Sequence, residues 1–373
     1  MPVKICQLIT ELVPAGAERS VFELSRRLDA ARFDVQVAAL RGGPVADWLS
    51  QAGIPVHVMD VRGKWDVLKL SKLAAVLREG RFDILHTHLF HADLAGRPAA
   101  RIAGVPHVIN TVHTAEGRFR PWQFAYARLM GEQCDRIVCV SNDVREFHQQ
   151  RTHLPDRQYT VIPNGTDVEA FAHDVEARRR LRRQWGVDEQ TFLLAFLGRL
   201  DPVKGLDTLL GALSHLGARG CPARIVVAGD GPQRKIIENY IAHGEGGKLC
   251  TLLGYVQDVA SLLSAVDCLA LPSRWEGQSL AALEGMAAAL PVICTRVPGL
   301  AEVVVDNETG LCVPVDDPVA LAEAIDTLRA DRDRARQLGQ AGRKRVCSEY
   351  HVGQFIRAHE ALYEEVAASP RAG

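Results

Sequence analysis

The segment Pro272-Ser-Arg-Trp-Glu276-Gly-Gln-Ser-Leu-Ala-Ala-Leu-Glu284 joins a strand end, a polar loop and the first turns of a helix. The apolar run Cys268–Leu271 comes directly before it and predicts a buried strand, and Leu280–Ala289 has the apolar spacing of a helix. In doubly wound parallel sheets, ligands bind beyond the carboxyl ends of the strands. The polar loop between this strand and this helix is therefore a candidate ligand site.

The same alternation of strand and helix extends outward from this segment along the whole chain. Short runs rich in Val and Ile predict strands, and the longer amphipathic segments between them predict helices. The predicted strands are Val3–Ile9, Phe33–Leu40, Val56–Met59, Ile84–His86, His107–Thr111, Ile137–Val140, Tyr159–Ile162, Thr191–Leu197, Arg224–Ala228, Leu249–Leu253, Cys268–Leu271 and Val292–Thr295. The predicted helices include Ala17–Leu28, Leu68–Arg78, Ala92–Ala103, Pro121–Gln133, Leu206–Leu216, Gln233–His243, Leu280–Ala289 and Val319–Arg329. This pattern predicts an α/β protein with parallel sheets covered by helices on both faces.

The length of 373 residues predicts about two domains, because a single core stops growing at roughly 250–300 residues. The turn sequence Pro163-Asn164-Gly165 suits a connection between them. We divide the chain into two Rossmann-like doubly wound domains, 1–163 and 164–345, and a tail, 346–373. Residues from 331 onward predict helices, so the tail is expected to pack back on the first domain, with 369–373 frayed.

The charge balance gives no field that would attract nucleic acid, because 44 Lys+Arg oppose 45 Asp+Glu. Residues 1–163 hold 21 Lys+Arg and 17 Asp+Glu, so the first half is mildly basic. An anionic acceptor or an acidic membrane surface would explain this bias, and so would chance. The arginine-rich segment Glu176–Gln184 is interpreted as a solvated helix face and not as a nucleic-acid patch.

The nine cysteines are scattered without a C-x-x-C pair. They predict buried free thiols in a reducing compartment, with neither a disulfide framework nor a zinc site. Met1–Lys4 leads directly into a strand pattern, so no signal peptide is expected, and no apolar stretch reaches about 18 residues. We expect a cytoplasmic protein that is at most peripheral at the inner face of a membrane.

A second polar loop, Gly198-Arg199-Leu200-Asp-Pro-Val-Lys204-Gly205, follows a predicted strand and precedes a helix. An arginine fork and a lysine point charge at a helix N-terminus suit a diphosphate. A surface ion pair of these cations with Asp201 or Asp207 is the structural alternative. Gly16 opens a helix after the first strand and would let a phosphate or sugar approach backbone N–H groups, although such a glycine is often only turn geometry.

Two glutamates frame the first loop as an E-x7-E pattern. Glu284, on the first turns of the helix, can accept hydrogen bonds from the two hydroxyls of a ribose. The backbone N–H groups of Gly277, Gln278 and Ser279 can donate to a polar ligand near Glu276.

Five segments occur in a fixed order: Pro163-Asn-Gly-Thr-Asp167, Gly198-Arg-Leu…Lys204-Gly, Ala228-Gly-Asp-Gly-Pro232, Pro272-Ser…Glu276-Gly…Glu284 and Pro291-Val-Ile. They resemble the corresponding segments of the retaining glycosyltransferases of family four and span nearly the whole chain. The resemblance implies the GT-B fold, in which two Rossmann-like domains face each other across a cleft. It also implies hexosyltransferase-type transfer from a UDP- or GDP-sugar to an acceptor hydroxyl, in cell-surface polysaccharide or glycolipid assembly.

The resemblance further implies roles for single residues. Glu284 would bind the ribose, Arg199 and Lys204 the diphosphate, and Glu276 the donor sugar, whose hydroxyls would also meet the backbone of Gly277, Gln278 and Ser279. Gly16 would lie near the phosphates or the acceptor, and His113, in Asn110-Thr-Val-His113-Thr, would reach the donor sugar. Because no carboxylate is assigned as nucleophile, the implied mechanism is front-face attack with the leaving phosphate as base. Neither a metal nor a cofactor is implied, and the first domain is left as the acceptor side.

Some features remain open to more than one interpretation. His86-Thr-His88-Leu-Phe-His91 lacks the spacing of a zinc site, and we interpret these histidines as lining the acceptor side of the cleft. Gly117-Arg-Phe-Arg-Pro-Trp122 mixes cations and aromatics, which suits a membrane contact for a lipid-linked acceptor or an ordinary loop and helix start. A sugar-nucleotide epimerase and a non-catalytic nucleotide-sugar binding subunit are the competing functions.

Overall fold

The computed structural model describes residues 1–61, 67–115, 119–220, 223–243 and 249–370. The chain forms two compact units. Unit 1 contains Met1–Asn164 and the chain from Gly353 onward, and unit 2 contains Gly165–Val352. The chain therefore passes from unit 1 to unit 2 inside the Pro163–Gly165 turn. It returns to unit 1 after residue 352, which is later than the predicted boundary between residues 345 and 346.

Unit 1 is built on a seven-stranded parallel sheet with the order β3-β2-β1-β4-β5-β6-β7. Its strands are β1 (Val3–Glu11), β2 (Phe33–Arg41), β3 (Val56–Val58), β4 (Ile84–His88), β5 (His107–Val112), β6 (Arg136–Cys139) and β7 (Tyr159–Val161). Its first six helices are α1 (Gly16–Arg27), α2 (Val45–Gln51), α3 (Val67–Gly80), α4 (Phe90–Ala103), α5 (Pro121–Leu129) and α6 (Asn142–Thr152).

Unit 2 is built on a six-stranded parallel sheet with the order β10-β9-β8-β11-β12-β13. Its strands are β8 (Leu193–Leu197), β9 (Arg224–Ala228), β10 (Cys250–Gly254), β11 (Cys268–Leu271), β12 (Val292–Thr295) and β13 (Gly310–Val313). The helices that follow α6 are α7 (Val175–Gln184), α8 (Leu206–Ala218), α9 (Arg234–Ala242), α10 (Val259–Ala265), α11 (Leu280–Ala287), α12 (Pro318–Ala330), α13 (Arg332–Glu349) and α14 (Val352–Ala368).

Successive residues of the central strands point into different cores. In β8, Leu194 and Phe196 belong to one apolar cluster, which includes residues of α8 and α12, whereas Leu193 and Ala195 belong to another, which includes residues of α10 and α11. Side chains of a strand alternate between the two faces of a sheet. Both faces of the unit 2 sheet are therefore buried under helices, which confirms the predicted doubly wound architecture.

The predicted strands and helices are confirmed with shifts of a few residues at their ends, with two exceptions. The strand β13 was missed because Gly310 and Pro314 leave only three apolar residues, Leu311–Val313, between them. The predicted helix Pro121–Gln133 ends as an α-helix at Leu129 and is followed by a 3-10 turn, Gly131–Gln133.

The arginine-rich segment is a helix, as predicted, but its face is not fully solvated. Arg182 is 1% exposed and donates to the carbonyl oxygens of Ala265 and Thr191 and to the carboxylate of Asp267. It therefore ties α7 to the strand β11 that begins at Cys268, because a buried guanidinium must be satisfied by acceptors.

The described cysteines are free thiols. Most are buried, but Cys312 is half-buried and Cys347 is exposed, so the prediction of buried thiols fails for these two.

Candidate active site

The candidate site of unit 2 lies at the carboxyl edge of its sheet, where the strand order reverses between β8 and β11. The loop after β8 ends at Gly205, whose backbone is left-handed with a φ of 65°. A Cβ atom on Gly205 would lie 2.0 Å from the carbonyl oxygen of Pro272, so only glycine fits there. The two polar loops are therefore in direct backbone contact.

A short ion pair joins these loops. Nζ of Lys204 lies 2.6 Å from Oε1 of Glu276, and the two side chains are 23% and 11% exposed. The same carboxylate oxygen accepts a hydrogen bond of 2.9 Å from Oγ of Ser273. The partner of Lys204 is thus Glu276, the first glutamate of the E-x7-E pattern. Asp207, which the sequence offered as an alternative partner of the loop cations, instead forms an ion pair with Arg274.

Arg274 fastens the two loops together, and the sequence reasoning did not identify it. Its guanidinium lies 2.7 Å from the carboxylate of Asp207 and 2.8 Å from that of Asp316. Its backbone N–H donates to the carbonyl oxygen of Val203 at 2.7 Å, and its guanidinium also donates to the carbonyl of Pro202. The sequence did contain a signal for this contact: a cation inside the polar loop and an acidic residue, Asp207, at the start of the neighbouring helix.

Arg199 is the exposed cation of the loop after β8. Within the described ranges no ion pair to its guanidinium is found. The backbone beneath it is braced, because the N–H of Leu200 donates to the carbonyl of Asp230 and the carbonyl of Leu200 accepts from the N–H of Gln233, both at 2.9 Å. A cation on a fixed backbone is suited to bind an anionic ligand.

Glu284 lies on α11 and is 4% exposed. The helix begins with Ser279 as its N-cap, whose Oγ accepts a hydrogen bond of 3.4 Å from the N–H of Ala282. The carboxylate therefore lies within the first turns of the helix, where the helix dipole favours a negative charge.

The backbone between the two glutamates is buried at Gly277, Gln278 and Ser279. The loop after β12 packs directly against this backbone at Gly299, which has a φ of 77°. A Cβ atom on Gly299 would lie 2.2 Å from the carbonyl oxygen of Gly277. Loops after three neighbouring strands, β8, β11 and β12, thus share one edge of the sheet.

In unit 1 the strand order reverses between β1 and β4. Gly16 is the first residue of α1, directly after the loop that follows β1, and is exposed. The first N–H groups of a helix have no acceptor within the helix, so this loop offers donors to an anion or a hydroxyl.

His113 follows β5 at the same edge of the unit 1 sheet. Its Nε2 lies 3.0 Å from Nδ1 of His88, the last residue of β4. Burial, with a smaller effect of the nearby His359, lowers the pKa of His113 to about 3. The imidazole is therefore neutral at physiological pH and acts as a hydrogen-bonding group, not as a cation.

The prediction that the histidines of the His-x-His motif line an acceptor surface is wrong for His86 and His88, which are 0% and 2% exposed. His86 is bonded to the Tyr363 hydroxyl and to Oγ1 of Thr111, each at 2.7 Å. The helix α14 covers them through Tyr363; the tail was expected to pack on the first domain, but its pattern did not show that it covers these histidines. Among the described residues, no group of three or more His, Cys, Asp or Glu side chains is arranged to hold a metal ion.

The segment Gly117–Trp122, which suits a membrane contact or an ordinary loop and helix start, is described only in part, since Gly117 and Arg118 lie outside the described residues. Trp122 and Leu129, on one face of α5, are 48% and 80% exposed, and Arg128 beside them is also exposed. No helix in the described ranges is long and apolar enough to span a bilayer.

Comparison with solved structures identifies the fold. HepE of Anabaena, solved in complex with UDP-glucose, superposes with a TM-score of 0.87 over 97% of this chain and 99% of its own, at 22% sequence identity. This likeness shows the fold: two Rossmann-like domains, each with its own parallel sheet, as in the GT-B glycosyltransferases.

The family follows from sequence. Residues 177–345 match the model "Glycosyl transferases group 1", and residues 14–170 match "Glycosyltransferase Family 4". The D-inositol 3-phosphate glycosyltransferase of Xylanimonas cellulosilytica is 31% identical over 88% of this chain and 86% of its own. The UDP-Gal:alpha-D-GlcNAc-diphosphoundecaprenol alpha-1,3-galactosyltransferase of Escherichia coli is 26% identical over 98% of both chains. The chain belongs to glycosyltransferase family 4, which confirms the resemblance.

Proposed function

We propose that this glycosyltransferase moves a hexose from a UDP- or GDP-sugar to a hydroxyl of a glycan or lipid-linked acceptor, with retention of the anomeric configuration, in polysaccharide or glycolipid assembly. The observation that carries the proposal is the Lys204–Glu276 ion pair at the point of strand reversal. Ligands of doubly wound sheets bind at such points. The relatives that act on a UDP- or GDP-sugar support the donor class.

The cations are proposed to stabilise the leaving diphosphate. As the bond between the sugar and the phosphate breaks, negative charge grows on the diphosphate and positive charge on the sugar. Arg199 is exposed, and Lys204 is only partly buried, so both can reach a bound anion. Preorganised cations and helix N-termini lower the barrier most when they face charge that develops in the transition state.

Glu276 is proposed to change partners when the donor binds. In the free protein its carboxylate neutralises Lys204. A diphosphate would compete for Lys204 and release Glu276 to accept hydrogen bonds from the donor sugar. Because this carboxylate is engaged by Lys204 and Ser273, we do not assign it as a nucleophile. The proposed mechanism is front-face attack, with the leaving phosphate as base for the acceptor hydroxyl, and it requires no metal or cofactor.

The remaining site residues have proposed binding roles. Glu284 would accept hydrogen bonds from the ribose, and the backbone N–H groups of Gly277, Gln278 and Ser279 would donate to the sugar. Gly16, at the start of α1, would lie near the phosphates or the acceptor, and His113 would contact the donor sugar.

We also propose that unit 1 contacts the inner face of the membrane through α5. Trp122 and Leu129 would enter the headgroup region, and Arg128 would meet anionic lipid headgroups. The mildly basic composition of residues 1–163 supports this orientation.

The deciding experiment is a screen of UDP- and GDP-sugars by thermal unfolding and by release of the free nucleotide. A donor at about 100 times its Kd should stabilise the protein by about 2.7 kcal/mol. With that donor and a simple hydroxyl acceptor, NMR of the product gives the anomeric configuration, and addition of EDTA tests the metal independence. An isomerised donor without acceptor would identify an epimerase, and stabilisation without turnover a binding subunit. An inverted product would refute the retaining mechanism.

A further inference from the structure

Three buried side chains of unit 1, those of Tyr363, Gln7 and His88, form a continuous chain of hydrogen bonds with the half-buried His113. Nε2 of Gln7, on β1, donates to the hydroxyl of Tyr363, on α14, at 2.8 Å. Oε1 of Gln7 lies 2.8 Å from Nε2 of His88, on β4. Nδ1 of His88 lies 3.0 Å from Nε2 of His113. We call Tyr363, Gln7, His88 and His113 the histidine relay.

The direction of each bond in the histidine relay follows from Gln7. An amide oxygen can only accept, so Nε2 of His88 carries a hydrogen. Burial lowers the pKa of His88 well below its ordinary value, so this ring is neutral and its Nδ1 is an acceptor. Nε2 of His113 must then donate to it. The neutral His113 ring is left with the lone pair on its Nδ1.

The histidine relay is held on several sides. Gln7 and Tyr363 are 0% exposed, and His88 is 2% exposed. The Tyr363 hydroxyl also lies 2.7 Å from Nδ1 of His86, whose ring centroid is 4.2 Å from that of His88. Side chains packed and bonded at both ends have little rotamer freedom. The orientation of the His88 ring is therefore fixed before any ligand binds.

The free end of the histidine relay is Nδ1 of His113. No hydrogen bond to this atom is found in the described part of the chain, and the side chain is half-buried at the carboxyl edge of the sheet. An sp² nitrogen with an unused lone pair accepts hydrogen bonds from hydroxyl groups. A sugar presents such hydroxyls.

We propose that Gln7 and His88 are positioning residues for His113. They hold its ring in the Nε2–H form, so that Nδ1 accepts a hydrogen bond from a hydroxyl of the donor sugar. The proposal rests on the proposed function, because it takes the donor contact of His113 from there. No proton is transferred along the relay, which sets only the tautomer and the orientation of the ring. The His-x-His motif thus acts behind the site and not on its surface.

The first test is spectroscopic and needs no substrate. In protein labelled with ¹⁵N-histidine, the His113 signals are assigned by their loss in His113→Gln. The wild type should show the pure Nε2–H tautomer. In His88→Leu, the His113 ring loses its acceptor, and its shifts should move toward an average of both tautomers. An Nδ1–H tautomer in the wild type, or unchanged shifts in His88→Leu, would overturn the proposal.

The second test is kinetic. His88→Leu should lower kcat/KM for transfer by about tenfold to a hundredfold, mainly through kcat, because a misoriented contact costs this much. The affinity for the free nucleotide should stay unchanged, since the side chains proposed to bind it, those of Arg199, Lys204 and Glu284, are in unit 2. His88→Asn, whose Oδ1 can replace Nδ1 as acceptor, should recover most of the activity. An Asn variant no better than the Leu variant would contradict the role of this bond.

His148→Leu is the matched control. His148 is also buried in unit 1, and it is bonded to the hydroxyl of Tyr159 at 2.9 Å, outside the relay. Its loss should reduce stability but leave kcat/KM per folded molecule unchanged. If His88→Leu does not fold, Tyr363→Phe, which removes only the hydroxyl that anchors Gln7, should lower kcat in the same direction.

The two proposals fail in different ways. A wild type that is inactive with every donor overturns the proposed function. An active wild type whose His88→Leu and Tyr363→Phe variants are equally active overturns the positioning role alone.

Discussion

Nζ of Lys204 and Oε1 of Glu276 lie 2.6 Å apart, although 72 residues separate them in the chain. The pair connects the two loops on which the proposed diphosphate site depends. Lys204→Ala and Arg199→Ala should each lower kcat/KM for transfer about tenfold or more, because each removes a charge that faces the leaving group. Steady-state kinetics with the donor found in the screen measures this effect.

Glu276→Gln distinguishes the contribution of Glu276 from that of Lys204. The variant frees Lys204 from a carboxylate, so the affinity for free nucleotide diphosphate should stay equal or rise while kcat falls. Arg219→Ala, which removes a half-exposed cation at the C-terminal end of α8, is the control and should leave both quantities unchanged. Wild-type turnover in Lys204→Ala would refute the assigned roles.

Glu284→Ala should weaken binding of the free nucleotide, because the proposed bidentate contact with the ribose hydroxyls is lost. Hydrogen bonds to a charged group contribute about 1.5–3 kcal/mol, which is about a tenfold to hundredfold change in Kd. Calorimetric titration with the free diphosphate measures it. Glu323→Ala, on the exposed face of α12, is the control; equal affinity in both variants would remove Glu284 from the nucleotide site.

The sequence predicted the fold well because each sheet repeats one local pattern. The strands β8 and β11 are short apolar runs followed by polar loops, and parallel topology brings their carboxyl ends to one edge. That rule placed Lys204 and Glu276 near each other. It could not show that they form an ion pair, nor that Arg274 crosses between the loops, because these contacts depend on side-chain geometry.

The histidine motif shows where sequence reasoning failed. His86 lies at a strand end, which favoured an exposed site, but Tyr363, 277 residues away, covers it. Neither the strand pattern nor the helix pattern contains information about which helix packs over which strand end. Contacts of such sequence separation depend on the tertiary fold.

The buried histidines predict a loss of stability in acid. Burial lowers the pKa of His359 and of His148 to about 4 and that of His86 well below its ordinary value. An unfolded histidine titrates near 6.5, so between this pH and about 4 the unfolded chain binds protons that the folded chain does not. Each such group should lower the free energy of unfolding by about 1.4 kcal/mol per pH unit as the pH falls.

Urea unfolding at pH 7, 6 and 5 measures this dependence. His148→Leu shifts the unfolding transition of unit 1 and so identifies it. In this variant the free energy of unfolding should depend less steeply on pH, by the contribution of one histidine. A urea midpoint that stays constant from pH 7 to pH 5 would show that the pKa values of these histidines are not lowered in the folded protein.

The exposed face of α5 predicts membrane binding that can be removed without touching the proposed site. Trp122 and Leu129 would bury apolar surface in the interface, at about 1.5–3 kcal/mol for a fully buried side chain of this kind. Trp122→Ala with Leu129→Ser should therefore lower the fraction that floats with anionic vesicles about tenfold or more. Ile236→Ser, at an exposed apolar position of unit 2, is the control and should bind like the wild type. Binding should also weaken as the salt concentration rises, because salt screens the attraction between Arg128 and anionic headgroups; the Debye length is about 10 Å at 0.1 M. Equal flotation of the double variant and the wild type, or no flotation of either, would exclude α5 as a membrane contact.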